Sequence, residues 1–311
     1  MRGKGWIIAV FVLLVPVVAG YLHLRRSPPP AAPAAKAGPA LGEAEWLRVA
    51  SDESFDERWA EAPLWDDGLA EVATYAARRV QYGKPRSYDA VLILVKEEFT
   101  EKLYVKADPP YEGKPLLPVL KLNQIHAYPT ENYPYHFLTS VFVRRDRAQQ
   151  MVKLTVGSQE WCGNTFKEVR AWGPKAEIEF HSYFDGQGDG AQPLDLLAGD
   201  LLEDQLPVSL RALSFREGLK IRTRLLPSLI TNRASPLGFQ DAEIEVAGTE
   251  AVATPAGKIM SWKVIVRVPD GQSVYWIERA PPNALVKFVA WDGRGWLLKS
   301  RERRAYWQRP G

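Results

Sequence analysis

From residue 69 onward, apolar and polar residues alternate in short runs. Val152, Leu154 and Val156 alternate with Lys153 and Thr155, and Ala242, Ile244 and Val246 with Glu243 and Glu245. Met260, Trp262, Val264, Val266 and Val268 alternate with Ser261, Lys263 and Arg267. A period of two puts one set of side chains on a dry face and the other in water, so each run predicts a strand. Leu103, Val105 and Ala107, set against Tyr104, Lys106 and Asp108, predict another, and Leu69 to Tyr82 a further one ended by a turn at Gly83-Lys84-Pro85-Arg86. Val91-Leu92-Ile93-Leu94-Val95 is apolar throughout, as in a strand covered on both faces. Arg145–Gln149, Val268–Gln272 and Asp292–Gly295 read as turns; in the second, Pro269 fixes its own φ and Gly271 accepts a positive one. Turn signals at roughly ten-residue spacing predict antiparallel hairpins rather than βαβ units.

Two stretches follow a different period. Residues 41–62 suit short helices around Trp46 and Leu47. Leu194, Leu197, Ala198, Leu201 and Leu202 share one face at helical spacing, with Pro193 suiting the first turn and Pro207 following the end. The expected fold is therefore mainly β: a large antiparallel curved sheet or half-closed barrel with one helix packed on it.

The N-terminus changes the picture of where the protein resides. Arg2 and Lys4 precede the apolar run Trp6–Val15, which is followed by Pro16 and the small residues Val18, Ala19 and Gly20. This is the layout of a secretory signal. Gly5 to Leu24 is also long enough to span a bilayer, which takes about 20 residues. Val18-Ala19-Gly20 resembles a lipobox, but Tyr21 stands where lipidation needs a cysteine. Ser27 to Ala40 is rich in Pro and Ala, an extended spacer of about 40 Å at polyproline rise. A spacer suits a tethered body, so the expectation is a bacterial envelope protein anchored in the membrane, with a cleaved and released form still open. The organisation expected is a signal or anchor over 1–26, a linker over 27–40 and a single β-rich domain over 41–311, with a subdivision near 190–218.

Charge narrows the partners. Of 40 basic residues, Arg2, Lys4, Arg25 and Arg26 flank the apolar segment; the remaining 36 face 37 acids. A near-neutral body lacks the basic footprint of a nucleic-acid binder. The single cysteine, Cys162, precludes an intramolecular disulfide.

Several segments carry a resemblance. They are Ala90-Val91-Leu92-Ile93, Val105-Lys106-Ala107-Asp108, Pro118–Asn123, Tyr133-Pro134-Tyr135 with Thr139-Ser140-Val141-Phe142, and above all Glu160-Trp161-Cys162-Gly163. Together they resemble a family of uncharacterised bacterial envelope proteins, many of them lipoproteins, over about a third of the chain. Thr254-Pro255-Ala256-Gly257 with Trp262-Lys263-Val264 is loosely similar to periplasmic β-proteins of unknown function, whose relatives in fold include half-barrels that carry lipid or lipoprotein. The resemblance implies an envelope location and assigns no catalytic residue.

Candidate chemistry is sparse. Cys162, beside Glu160 and with His126 and His136 upstream, is a conceivable nucleophile, but a cysteine between Trp and Gly at a strand end is more often a packed small residue. His126 and His136 have no metal-ligand spacing. Asp185 to Gly190 mimics half a calcium loop, but Leu196 stands at the twelfth position, where such a loop has Glu. No catalytic residue, metal site or cofactor is assigned. The aromatic-rich stretch with Tyr128, Tyr133, Tyr135 and Phe137 suits sugar or lipid, because its rings are flat and amphipathic. The candidate ligand residues are Trp161, Cys162, Tyr133, Tyr135 and His136. Two readings follow: a non-enzymatic binding or carrier module for an apolar or glycan ligand or an envelope partner, and an envelope enzyme using Cys162 with a carboxylate or histidine.

Overall fold

A computed structural model describes residues 52–172, 175–234 and 237–308. The expected signal or anchor and the Pro/Ala linker lie outside these. Among the described residues no helix is long and apolar enough to cross a membrane.

The alternating segments become strands. In the first half these are β1 (Ala70–Gln81), β2 (Lys84–Thr100), β3 (Leu116–Pro129), β4 (Pro134–Arg144), β5 (Met151–Glu160), β6 (Gly163–Trp172), β7 (Lys175–Ser182) and β8 (Asp189–Leu194). In the second half they are β9 (Leu201–Leu202), β10 (Lys220–Leu226), β11 (Gln240–Thr254), β12 (Gly257–Val268), β13 (Gly271–Glu278), β14 (Leu285–Val289) and β15 (Gly295–Arg304). All belong to one sheet in the order β8 to β1, then β15 to β9. Two meanders are thus joined where β1 pairs with β15, from Ala70 opposite Arg304 to Arg78 opposite Gly295. Every pairing is antiparallel except the short one between β9 and β10. The sheet is curved and does not close, as the sequence pattern predicts.

Val91–Val95 is covered on both faces, as its continuous apolar character requires. Leu92 and Leu94 enter the main core, and Ile93 and Val95 join Ala70 and Val72 in a separate cluster on the other face. The concave face is filled by the chain itself. A run of short helical turns over 203–212, with its α-helical part at Leu206–Ser209 (α1), buries Leu206, Val208 and Leu210 completely against the strands. Each such side chain contributes about 1.5–3 kcal/mol by leaving water. Phe55, Trp59 and Trp65 from the short 3-10 turns before β1 complete this core.

Two local expectations are corrected. The helix predicted around 194–202 lies further on. Leu194 ends edge strand β8, Gly199 takes φ +89°, and Leu201 and Leu202 form β9. Pro207 opens α1 instead of following a helix. Buried leucines spaced for a helix here satisfy two strand ends and a tight crossing between sheet edges, an ambiguity inherent in short apolar runs. The alternating Leu103-Val105-Ala107 segment is not a sheet strand. Residues 101–115 form an excursion that touches β2 through a single bridge, Phe99 to Lys106, and Leu103 is 63% exposed.

Candidate ligand-binding site

The hairpin turns β1–β2, β3–β4, β5–β6, β7–β8 and β14–β15 fall at one end of the sheet. Neighbouring hairpins are two strands apart, about 10 Å. Several carry an aromatic side chain at the tip. Tyr82 and Gly83 make the two-residue turn of the first hairpin with φ of 54° and 70°, the positive values a type I′ turn needs. Trp161 and Cys162 make the turn of β5–β6. Tyr183 follows β7, and its ring lies against Gly163, where a Cβ would come within 2.3 Å of Tyr183 Cγ. Trp291 packs on Gly271 in the same manner.

Four of the five residues singled out from the sequence meet here. Tyr128 and Tyr135 are direct cross-strand partners and stack at 5.6 Å with 4° between planes. Tyr133 stacks on Tyr135 at 5.7 Å, and Trp161 on Tyr133 at 6.0 Å and 21°. The result is a ladder that starts at Trp161, 78% exposed, and descends to the fully buried Tyr135 and Tyr128. Arg79 caps the buried end, its guanidinium 5.2 Å from the Tyr128 ring centre and 5.0 Å from that of Phe137. His136 is not part of the ladder: it alternates with Tyr135 and Phe137 along β4 and is exposed on the other face.

Polar groups flank the ladder. The Tyr133 hydroxyl and Cys162 Sγ share a hydrogen bond at 2.9 Å, which, before any other influence, raises the Tyr133 phenol to about 12. The Tyr82 and Tyr135 hydroxyls are hydrogen-bonded, and burial followed by the Glu160 carboxylate keeps Tyr135 protonated far above the ordinary range. Glu160 Oε1 accepts from Asn232 Nδ2 at 2.7 Å. Glu131 bridges Arg86 (2.5 Å) and Lys84 (2.9 Å), so its carboxyl falls to about 2. Asn232 belongs to a loop strapped over the sheet. Lys167 Nζ donates to the carbonyls of Thr231 (2.9 Å) and Arg233 (2.8 Å), and Thr165 Oγ1 to that of Asn232 (2.9 Å).

Cys162 is exposed rather than packed, because a two-residue tip leaves its side chain nothing to pack under. Among the described residues no histidine is hydrogen-bonded to it. His126 is buried, with Nδ1 3.0 Å from the Tyr88 hydroxyl. Its Nε2 is buried and meets no hydrogen-bond partner among the described residues. Asp185 to Gly188 lie in the β7–β8 turn and Asp189 and Gly190 open β8, and among the described residues no three His, Cys, Asp or Glu side chains are grouped to hold a metal. Sequence reasoning missed Tyr82, Arg79 and Asn232. Tyr82 precedes a turn glycine and was legible as a tip residue; Arg79 and Asn232 are brought in by tertiary structure alone.

No family model matches the chain, and neither does any curated protein. Two solved structures show a distant likeness. One is a DUF1089 family protein from Pseudomonas aeruginosa, 13% identical, with a TM-score of 0.34 over 53% of this chain and 82% of that one. The other is a protein from Bacteroides fragilis described as exported, with a YmcC-like fold. It is 14% identical, with a TM-score of 0.19 over 75% of this chain and 95% of that one. At these scores neither lends this chain a function.

Proposed function

We propose that this is a non-enzymatic bacterial envelope protein that binds a neutral glycan on its hairpin-tip aromatics. The observation that carries the reading is the ladder whose outermost ring, Trp161, offers an open face backed by Tyr133. Pyranose rings present an apolar C–H face and a rim of hydroxyls, and an aromatic face beside hydrogen-bonding groups matches both. Tyr133, Tyr82, Glu160 and Asn232 supply those groups. Charge gives an anionic membrane surface little to hold at this end: Lys84 and Arg86 are spent on Glu131, and Arg78, Arg79 and Arg233 are matched in number by Glu160, Asp185 and Asp189. The filled concave face argues against a preformed lipid cavity there. Envelope location rests on the apolar N-terminal segment and the Pro/Ala spacer.

The enzyme reading has less behind it. Cys162 is accessible, but its hydrogen-bond partner is a phenol held protonated, not a base.

Isothermal titration of the full-length protein with chitotetraose and maltotetraose tests the proposal. Binding of one of them is expected, weakened at least about tenfold in Trp161→Ala, the loss of one stacking face. Labelling Cys162 with a maleimide, which the exposed thiol accepts in the native state, is expected to block the same site. Binding unchanged in both altered proteins, or binding of neither sugar, would rule the site out.

A further inference from the structure

A second site lies on the convex face, far along the strands from the hairpin tips. A groove of about 710 Å³ runs over β3, β4 and β5, within the usual range of small-ligand pockets. Its floor is polar: Lys121 and Asn123, Ser140, and Lys153 and Thr155, with Phe142 among them. Its walls are apolar and come from two distant parts of the chain. One is Tyr104, Val105 and Tyr111 of the 101–115 excursion, held against the end of β2 by Thr100 N–H to Val105 O (2.9 Å) and Ala107 N–H to Glu98 O (2.7 Å). The other is Tyr306 and Trp307, just beyond β15, with Trp307 53% exposed.

We propose that this groove binds an amphipathic anion, an acyl chain ending in a carboxylate or a phosphate. The walls specify the chain. Val105, Tyr111, Tyr306 and Trp307 all leave apolar surface in water on the two sides of one channel, and contiguous exposed apolar surface of this kind marks a binding site. The charges specify the head. Lys96, Lys106, Lys121 and Lys153 line the groove with Glu97 and Glu98. Lys121 is paired with Glu97 at 2.5 Å, and Lys96 with both Glu98 and Asp66 at 3.1 Å. Lys153 shares the Glu168 carboxylate with Arg170, and Lys106 is exposed on the wall. An anionic head seated between Lys153 and the exposed Lys106 would accept from both ammonium groups, and such charge-assisted hydrogen bonds are stronger than those of a neutral head. Desolvation and the neighbouring Arg170 lower the Lys153 ammonium from its ordinary range, so an anion there is welcome. The site is independent of the glycan reading, because it shares no residue with the hairpin tips.

The test is displacement of dansylated undecanoate from the full-length protein held in amphipol, with oleate, lysophosphatidate and monoolein as competitors. Oleate or lysophosphatidate is expected to compete at concentrations at least about tenfold below monoolein, the value of one charge-assisted contact. Which of the two is stronger identifies the head as carboxylate or phosphate. Lys153→Met is expected to narrow the gap to monoolein, and Trp307→Ala to weaken all three competitors together. Lys106→Ala, a change at an exposed position, serves in place of Lys153→Met if circular dichroism shows that variant misfolded. Equal competition by monoolein, displacement by chitotetraose, or wild-type behaviour of both the lysine and Trp307 variants would overturn the proposal.

Discussion

Replacing Arg211 with alanine is expected to destabilise the protein by about 3–5 kcal/mol, the cost of stripping one partner from a buried ion pair. Arg211 and Glu71 are 4% and 5% exposed and meet in a two-pronged pair, Nη1 to Oε1 at 2.8 Å and Nη2 to Oε2 at 3.1 Å. Arg211 also donates to Pro282 O from Nε (3.2 Å) and Nη2 (2.9 Å), and lies 5.2 Å and 5.4 Å from the rings of Trp59 and Trp65. One side chain therefore ties four parts of the fold together: the helical plug, β1, the β13–β14 loop and the N-terminal turns. Losing it leaves the Glu71 carboxylate buried without its partner, which is worse than losing the attraction alone. Urea unfolding checks this, with Glu71→Gln as the companion variant. The double variant Glu71→Leu/Arg211→Met is expected to recover much of the loss, because it removes both charges and keeps apolar volume. A double variant as unstable as Arg211→Ala would mean that the hydrogen bonds to Pro282, not the ion pair, carry the effect.

That pair shows where sequence reading stops. The period-two runs of β5 and β12 and the apolar run of β2 were legible, because a strand's faces follow from which neighbouring residues avoid water. The 101–115 excursion alternates equally well, yet Leu103 and Val105 sit in solvent; alternation shows that a segment has an apolar side, not that the fold covers it. The leucines of 194–202 misled for a related reason, since two buried strand ends and a helix face can share one spacing. At the tips, Trp161, Cys162, Tyr133 and Tyr135 were recognisable as a set because they lie in hairpins that neighbour each other in sequence and in the sheet. Antiparallel register then brings the tips together, Pro129 opposite Pro134 and Glu160 opposite Gly163. His136 was included by proximity along the chain, and the pleat turns it away. The convex groove had no local signature at all: its walls are about 200 residues apart and meet only because β1 pairs with β15.

Unfolding free energy is expected to change little between pH 6 and pH 4 and to fall below about pH 3.8, because two buried groups oppose one another. His126 is held to about 3 by burial first and then by the charges of Arg79 and Arg294. Its folded value lies below the unfolded 6.5, so the unfolded chain takes up a proton that the folded one refuses. Its contribution is complete above pH 6.5 and is lost as pH falls through that value towards 3. At about 1.4 kcal/mol per pH decade this amounts to about 4–5 kcal/mol. Asp204 works the other way. Burial first raises it from 3.8 to about 6, against hydrogen bonds from Ser228 Oγ (2.5 Å) and Leu229 N–H (2.7 Å), with Glu203 raising it further and Arg294 lowering it. The folded chain then holds a proton that the unfolded one releases, so this group's contribution is largest below pH 3.8 and declines by about 3 kcal/mol as pH rises to 6. Between pH 6 and 4 these two slopes nearly cancel; below 3.8 the histidine's loss continues, joined by that of ion-paired carboxylates such as Glu131. Urea titrations across this range for Asp204→Asn, which keeps an acceptor for Leu229, are expected to uncover the histidine slope, with stability falling steadily from pH 6.5. His126→Gln is expected to reverse it, the variant gaining stability as pH falls from 6 to 4. Parallel curves for wild type and both variants would show that neither group's pKa differs between the folded and unfolded chain, and that acid unfolding is set by the surface carboxylates alone.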